Sequence, residues 1–260
     1  MNYHEKYGPW ALVTGASSGI GAEFARQLGE KGLNLVLVAR REERLVKLAQ
    51  EIKQNSKVEV RTVTVDLLAD NFLDKIREAT DSLEIGLLVN NAGMLSIGNY
   101  LDSPIENDLQ MIDLNIKVPA ILTHHYAARM IDRKRGGIIF TASMLGFMGT
   151  PYAATYAGTK AHEIVKTEGL AYELKPKGVD VLVLNPGLTE TEMTSKNDFS
   201  AMPMKLMKPA PVAKAAIDAL GKKVIVVPGT MNNIMNFMTK HIMSRKMNTN
   251  MFGGYMQKAF

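Results

Sequence analysis

The chain repeats one arrangement along most of its length: a short, nearly continuous apolar run, a turn, then a stretch with apolar residues at helical spacing. Runs at 10–14 (WALVT), 33–39 (LNLVLVA), 85–89, 137–142, 179–184 and 224–227 hold too few polar positions for strands with one wet face. Strands of that kind belong in a parallel sheet that helices cover on both sides. Residues 57–65 (KVEVRTVTV) alternate in side-chain type and add a seventh strand, while 22–30, 71–79, 105–125, 156–174 and 212–220 read as helices. There is no internal repeat, low-complexity run or linker, so the expectation is one α/β domain over residues 1–260.

The first strand runs into TGASSGIG, with Gly15, Gly19 and Gly21 in the spacing G-x-x-x-G-x-G and with Ser17 and Ser18 between them. Glycines there permit a tight turn and close approach of backbone to a ligand, and the helix that follows offers unpaired N–H groups to a pyrophosphate. At the end of the second strand, where an NAD site places an acid for the ribose 2′-hydroxyl, stand Ala39, Arg40 and Arg41. A guanidinium fork binds a 2′-phosphate through charge-assisted hydrogen bonds, so the expected cofactor is NADP(H). The competing reading makes the two arginines the basic start of an exposed helix, unfavourable against its dipole.

Asp66 ends the third strand, where a carboxylate accepts either from an adenine amine or, as an N-cap, from the helix at 71–79. The fourth strand enters NNAG, whose asparagines suit a structural role beside a backbone approach at Ala92 and Gly93. Asn115 lies inside the long helix at 105–125. Asparagine is a mediocre helix former, which implies a buried amide with partners or a local break there; Pro119 fits with a kink.

The fifth strand delivers Ser143, and Tyr156 and Lys160 follow four residues apart on one helix face. A fixed cation beside a phenol favours the phenolate and brings its pKa down from about 10, readying Tyr156 to exchange a proton with a substrate oxygen that Ser143 also holds. Taken alone, such a pair equally well packs an alkyl stem on a ring. After the sixth strand, Pro186 and Gly187 fix a turn, and the hydroxyls of Thr189 and Thr191 are within reach of a carboxamide. Residues 189–211, irregular from 195 on, form the expected substrate lid. In the extension at 229–260, Met231, Ile234, Met235, Met238, Ile242 and Met243 recur at helical spacing. That stripe reads as core or subunit contact, with a pocket wall, or a membrane surface with Lys240, Arg245 and Lys246, as alternatives.

Composition closes off several classes. There is no cysteine, hence no disulfide framework or thiolate metal site, and the five histidines lack metal-ligand spacing. The net charge of +5 is spread through helices beside acids, without the basic and aromatic stripe of a nucleic-acid binder. The opening MNYHEKYGPW lacks the apolar run of a signal peptide, and no stretch approaches the length of a membrane span, so a cytoplasmic protein is expected.

Taken together and in this order, TGASSGIG, NNAG, a helical asparagine, a serine, Y-x-x-x-K and the Pro-Gly turn resemble the short-chain dehydrogenase/reductase family over nearly the whole chain. The resemblance implies a Rossmann-type doubly wound parallel β-sheet, and NADP(H)-dependent hydride transfer to a carbonyl with Tyr156 as acid/base and Ser143 polarising the substrate oxygen. It makes Lys160 the residue that lowers the tyrosine pKa and holds the nicotinamide ribose, and Asn115 the one that positions a water in a proton relay. It further ties Gly15, Ser17, Ser18, Gly19, Ile20 and Gly21 to phosphates and ribose, Asp66 and Leu67 to adenine, and Asn91 to a cofactor ribose. Ile116 lines the cleft, and Pro186, Gly187, Leu188 and Thr191 face the nicotinamide amide. YAGTK stands here where many relatives have YSASK.

The apolar Leu145, Phe147, Met148, Met193, Phe199, Met202 and Met204 point to a hydrophobic ketone, a steroid or an acyl thioester as substrate. A homodimer or homotetramer is expected, joined partly through the helices of Asn115 and Tyr156. The reading from another class is a non-catalytic NADP(H)-binding sensor, whose mark would be loss of Ser143, Tyr156 or Lys160.

Overall fold

The computed structural model describes residues 2–195, 198–199 and 206–258. Seven strands, β1 (Trp10–Thr14), β2 (Asn34–Ala39), β3 (Val60–Thr64), β4 (Ile85–Asn90), β5 (Gly136–Thr141), β6 (Val179–Leu184) and β7 (Ile225–Val226), form one parallel sheet. Their order is β3-β2-β1-β4-β5-β6-β7. The winding reverses between β1 and β4, and in sheets of this type the crevice outside the strand ends at that point is where ligands bind.

Helices α1 (Tyr3–Tyr7), α2 (Gly19–Glu30), α3 (Glu42–Asn55), α4 (Phe72–Thr80), α5 (Ile105–Ile112), α6 (Val118–Asp132) and α7 (Ala154–Leu174) come first. Beyond β6 lie α8 (Pro209–Ala219), α9 (Thr230–Phe237) and α10 (Arg245–Met256). Because successive strand side chains point to opposite faces, each central strand feeds two cores. Ala11 and Val13 of β1 join Phe24, Leu28 and Leu45 from α2 and α3 on one side, with Val212 and Ile217 from α8. Leu12 of the same strand meets Ile76, Leu122 and Tyr126 from α4 and α6 on the other. This two-sided burial is why the strands read as unbroken apolar runs. At the sheet edge, β3 is exposed at alternate stretches, matching its mixed composition.

The helix expected at 105–125 is two helices joined by a π turn at Asp113–Lys117, and the second runs on to Asp132. Pro119 sits in the first turn of α6, where its missing N–H costs little. The expected kink is thus a register change placed at Asn115. In the C-terminal extension the apolar stripe is not core: Met231, Ile234, Phe237 and Ile242 are all more than half exposed. Instead α10 turns inward and buries Phe252 and Met256. Among the described residues no helix is long and apolar enough to cross a membrane.

Candidate active site

The glycine turn between β1 and α2 is tight for a stated reason. Gly15 and Gly19 have φ of +66° and +56°, and a Cβ on Gly21 would lie 2.3 Å from the Gly15 carbonyl oxygen. A Cβ on Gly15 would meet the Ala92 Cα at 2.9 Å, so the NNAG stretch after β4 lies against the turn. Thr14 and Asn91 hold the two together. The Thr14 hydroxyl accepts from the backbone N–H groups of Asn91 and Ala92 at 3.0 and 3.1 Å, and Asn91 Nδ2 donates to the Thr14 carbonyl at 3.1 Å. Asn91 therefore spends its amide N–H on the turn itself. At the head of α2, Ser18 makes no side-chain cap, so its hydroxyl takes up none of the first-turn N–H groups.

Arg40 and Arg41 diverge at the end of β2. Arg41 lies over the turn, with Nη2 donating to Ser17 Oγ and Ser18 Oγ at 2.9 Å each and Nη1 to Glu192 at 2.5 Å. Glu192 also pairs with Arg44. Arg40 stays free of hydrogen bonds to the turn, its side chain 73% exposed and 4.0 Å from Asp66. Neither arginine is inside a helix, because α3 opens with Glu42 and Glu43 after Arg41 as its N-cap. Asp66 does not cap the next helix as one reading had it; its Oδ1 accepts from the Leu68 N–H at 3.0 Å, and Asn71 precedes α4. Leu67 is buried in the core on the α4 side.

Asn115 is fully buried in the π turn. Its Nδ2 donates to the Met94 carbonyl and to Thr159 Oγ1, and its Oδ1 accepts from the Met94 N–H, all at 3.0 Å. Both sequence readings, a satisfied amide and a local break, hold at once. Ile116 is half-buried beside it. Gly93 faces this group: a Cβ there would lie 3.1 Å from Asn115 Oδ1 and 3.6 Å from Lys160 Nζ.

Ser143, just past β5, and Tyr156 and Lys160, on the first turns of α7, come together at the floor of the crevice. Tyr156 is 7% exposed and interacts with the Ser143 hydroxyl, and Lys160 Nζ lies 5.8 Å from its ring centroid. Lys160 Nζ donates to the Thr141 carbonyl at 2.7 Å and to Glu163 Oε2 at 2.8 Å. Burial pushes the phenol up; Lys160 pulls its pKa down as expected and Ser143 does likewise, but burial, with a smaller rise from Glu163, outweighs them and leaves it above its ordinary value. That environment favours the protonated phenol.

The loop after β6 closes the other side. The Pro186 carbonyl accepts from Met144 at 3.0 Å, and the Thr189 hydroxyl donates to the Gly187 carbonyl at 3.1 Å, turned onto its own loop. Thr191 lies over Gly19, whose Cβ would meet its methyl at 2.9 Å. Around Tyr156, the apolar group consists of Met111, Ala153, Phe199 and Met256, with Leu145, Leu188, Met94 and Tyr255 against it. Leu145 and Phe199 thus pack beside Tyr156, whereas Met193 is not part of this group, Phe147 packs on the core beneath, and Met202 and Met204 fall outside the described residues. The sequence reading missed Met111, Tyr255 and Met256, along with Thr14 and Glu163. Among the described residues no set of three acids or histidines could hold a metal.

The family model for short chain dehydrogenases matches residues 9–200, which span the glycine turn, the asparagine, and the serine, tyrosine and lysine just described. The chain belongs to the short chain dehydrogenase family. It is an oxidoreductase acting between a carbonyl and an alcohol. Over 235 residues this dehydrogenase is 36% identical to a 7beta-hydroxysteroid dehydrogenase of Clostridium sardiniense, covering 89% of this chain and 90% of that one. A solved structure described in terms of 7beta-hydroxysteroid dehydrogenase stereoselectivity superposes with a TM-score of 0.89 at 30% identity, over 97% of this chain and 100% of the other. A short-chain dehydrogenase from Sphingobium yanoikuyae in complex with NADPH superposes with a TM-score of 0.80 at 30% identity, over 91% and 97% of the two chains.

The turn of this dehydrogenase suits a dinucleotide. A side chain at Gly15 or Gly21 would collide with the backbone of the turn and of the stretch after β4, and at the end of β2 stands the exposed guanidinium of Arg40, 4.0 Å from Asp66.

Proposed function

We propose that this dehydrogenase uses NADPH to reduce a carbonyl on a bulky alicyclic skeleton, a steroid ketone being the favoured class. The observation that carries the substrate reading is the apolar group around Tyr156, built from Met111, Ala153, Phe199 and Met256. Burial of a large fused-ring surface there is worth about 25 cal/mol per Å² of apolar area removed from water. A small polar ketone gains little of it.

The roles follow from the geometry. The N–H groups at the head of α2 hold the pyrophosphate, Arg40 takes the 2′-phosphate, and Gly93 and Lys160 receive the ribose. Arg41 braces the turn through Ser17 and Ser18. The bound nicotinamide supplies the hydride for the carbonyl carbon. Tyr156 donates its phenolic proton to the carbonyl oxygen, and the Ser143 hydroxyl donates a hydrogen bond to the same oxygen. The Lys160 ammonium stands by to stabilise the phenolate left behind. Met256 and Leu188 exclude water from the reacting oxygen, which strengthens each of these interactions.

A panel of ketones followed by loss of NADPH absorbance tests this, run beside NADH. The expected result is a kcat/KM for a steroid ketone at least about 100-fold above that for a small cyclic ketone, and a clear preference for NADPH. Faster turnover of a long 3-oxoacyl thioester would replace the steroid reading with the acyl one.

A further inference from the structure

Tyr156, Lys160 and Ser143 account for the proposed chemistry, yet a second ion is buried in the same helix. Glu163 lies three residues after Lys160, its side chain 3% exposed and that of Lys160 4% exposed. Its Oε2 accepts from Lys160 Nζ at 2.8 Å, while the Thr141 carbonyl accepts from the same nitrogen at 2.7 Å. A buried ion pair of this kind is seldom what a fold needs for stability, since apolar residues of the same volume often serve as well or better. Its position, two helical turns along α7 from Tyr156 and beside the ammonium that lies between them, ties it to the reaction.

A lone ammonium near Tyr156 in a water-poor pocket pulls the phenol's pKa down, against the rise that burial causes. We propose that Glu163 is a positioning residue of the reductase: its carboxylate fixes the Lys160 ammonium and offsets its charge, so that Tyr156 keeps the proton it must deliver. This rests on the reading of Tyr156 as proton donor. It adds that the donor remains loaded well into the alkaline range.

The surroundings agree. Burial pushes the Glu163 carboxyl up to about 7 against the pull of Lys160, so the group is ionised through the alkaline range, where the phenol is at risk. Burial favours the neutral lysine, but Glu163 and Tyr156 outweigh it and hold the ammonium charged. The charged groups acting on Glu163 are Lys160 and Lys166 of its own helix. Against it, β5 and the turn at Met144–Phe147 bring no ionisable side chain, and Asp180 of β6 is taken up by Lys6, Tyr7 and Lys175. In the π turn Asp113 pairs with Lys117, and Asp108 of α5 accepts from Thr155.

The test is the pH profile of kcat/KM for ketone reduction at saturating NADPH, measured for the wild type, Glu163→Gln and Glu163→Asp. With the carboxylate gone, the alkaline limb should move down by roughly one pH unit or more, with Glu163→Asp restoring part of the shift. A merely structural role would lower activity by the same factor at every pH. A Glu163→Gln limb that coincides with the wild-type limb overturns the proposal. Should neither variant fold, the wild type decides: its activity should hold to above about pH 9, and a fall centred near or below about pH 8 overturns the proposal. Tyr156→Phe separates the two layers, since a fully active Tyr156→Phe enzyme removes the underlying reading whatever Glu163 does.

Discussion

Tyr156 owes its acidity range to what surrounds it more than to its own chemistry. The phenol is buried, faced by the Ser143 hydroxyl, and subject to an ammonium and a carboxylate whose charges oppose each other. Ser143→Ala should therefore cost about 10²-fold or more in kcat, since one donor to a developing oxyanion is worth that much, and leave NADPH affinity unchanged in a fluorescence titration. At the other end of the crevice, Arg40 is mostly exposed and lies 4.0 Å from Asp66. Arg40→Ser should weaken NADPH binding about 10- to 100-fold, the worth of a charge-assisted contact, while leaving NADH binding within a few-fold. Equal losses for the two cofactors would assign the phosphate to another residue. The meeting of Tyr156 with Lys160 and the tight glycine turn are legible in the sequence because they depend on short spacings. The parts played by Arg41 and Glu163 are not, because each depends on which of several reachable partners a long side chain takes. Arg41 goes to Ser17, Ser18 and Glu192, and Lys160 turns to Glu163.

At the level of elements, strands in the middle of the sheet could be placed from their apolar runs to within a residue or two. The edge strand β3 was expected at 57–65 and is Val60–Thr64, and β7 shrinks from 224–227 to Ile225–Val226. Edge pairing has less burial to fix its ends. The π turn was marked by nothing in the spacing except Asn115 itself. One tie between elements carries its own pH dependence. Asp180 at the start of β6 accepts from the Tyr7 hydroxyl at 2.7 Å and pairs with Lys6 at 2.5 Å and Lys175 at 2.6 Å, securing α1 to the sheet. Burial alone would raise this carboxyl, but its bonds to Lys175, Lys6 and Tyr7 outweigh that and hold it below its ordinary value of 3.8. A lowered folded pKa contributes stability that is present above the unfolded value and is lost as pH falls through the folded one. Asp180→Asn should thus cost about 1–3 kcal/mol at neutral pH, read as a drop in Tm. The difference from wild type should narrow as the pH falls below about 4. A deficit that stays constant down to that pH would deny the carboxylate this role.

Over the whole molecule, the apolar group around Tyr156 is assembled from distant parts of the chain: Met111 from α5, Ala153 and Tyr156 at the head of α7, Phe199, and Met256 from α10. No local pattern announces such a convergence, and the apolar stripe at 231–243 lies outside it. Met256→Ala should raise the KM for a bulky ketone by about 10-fold with little change for a small one, since the lost contacts are apolar and one-sided. An equal effect on both would make Met256 a support of the fold alone. The exposed Ile105, Leu109 and Ile112 on α5, and Val165 and Tyr172 on α7, are a large apolar area for a solitary chain. Association through these two helices, as a homodimer or homotetramer, should show as a multiple of 28.6 kDa in light scattering.

The proposed reduction depends on proton delivery from one phenol. Its most direct test is Tyr156→Phe, with NADPH binding and ketone turnover measured on the same preparation. Binding should match the wild type and turnover should fall by about 10²- to 10⁴-fold, the usual worth of a positioned general acid. Turnover within a few-fold of wild type, with NADPH bound as tightly, would contradict it.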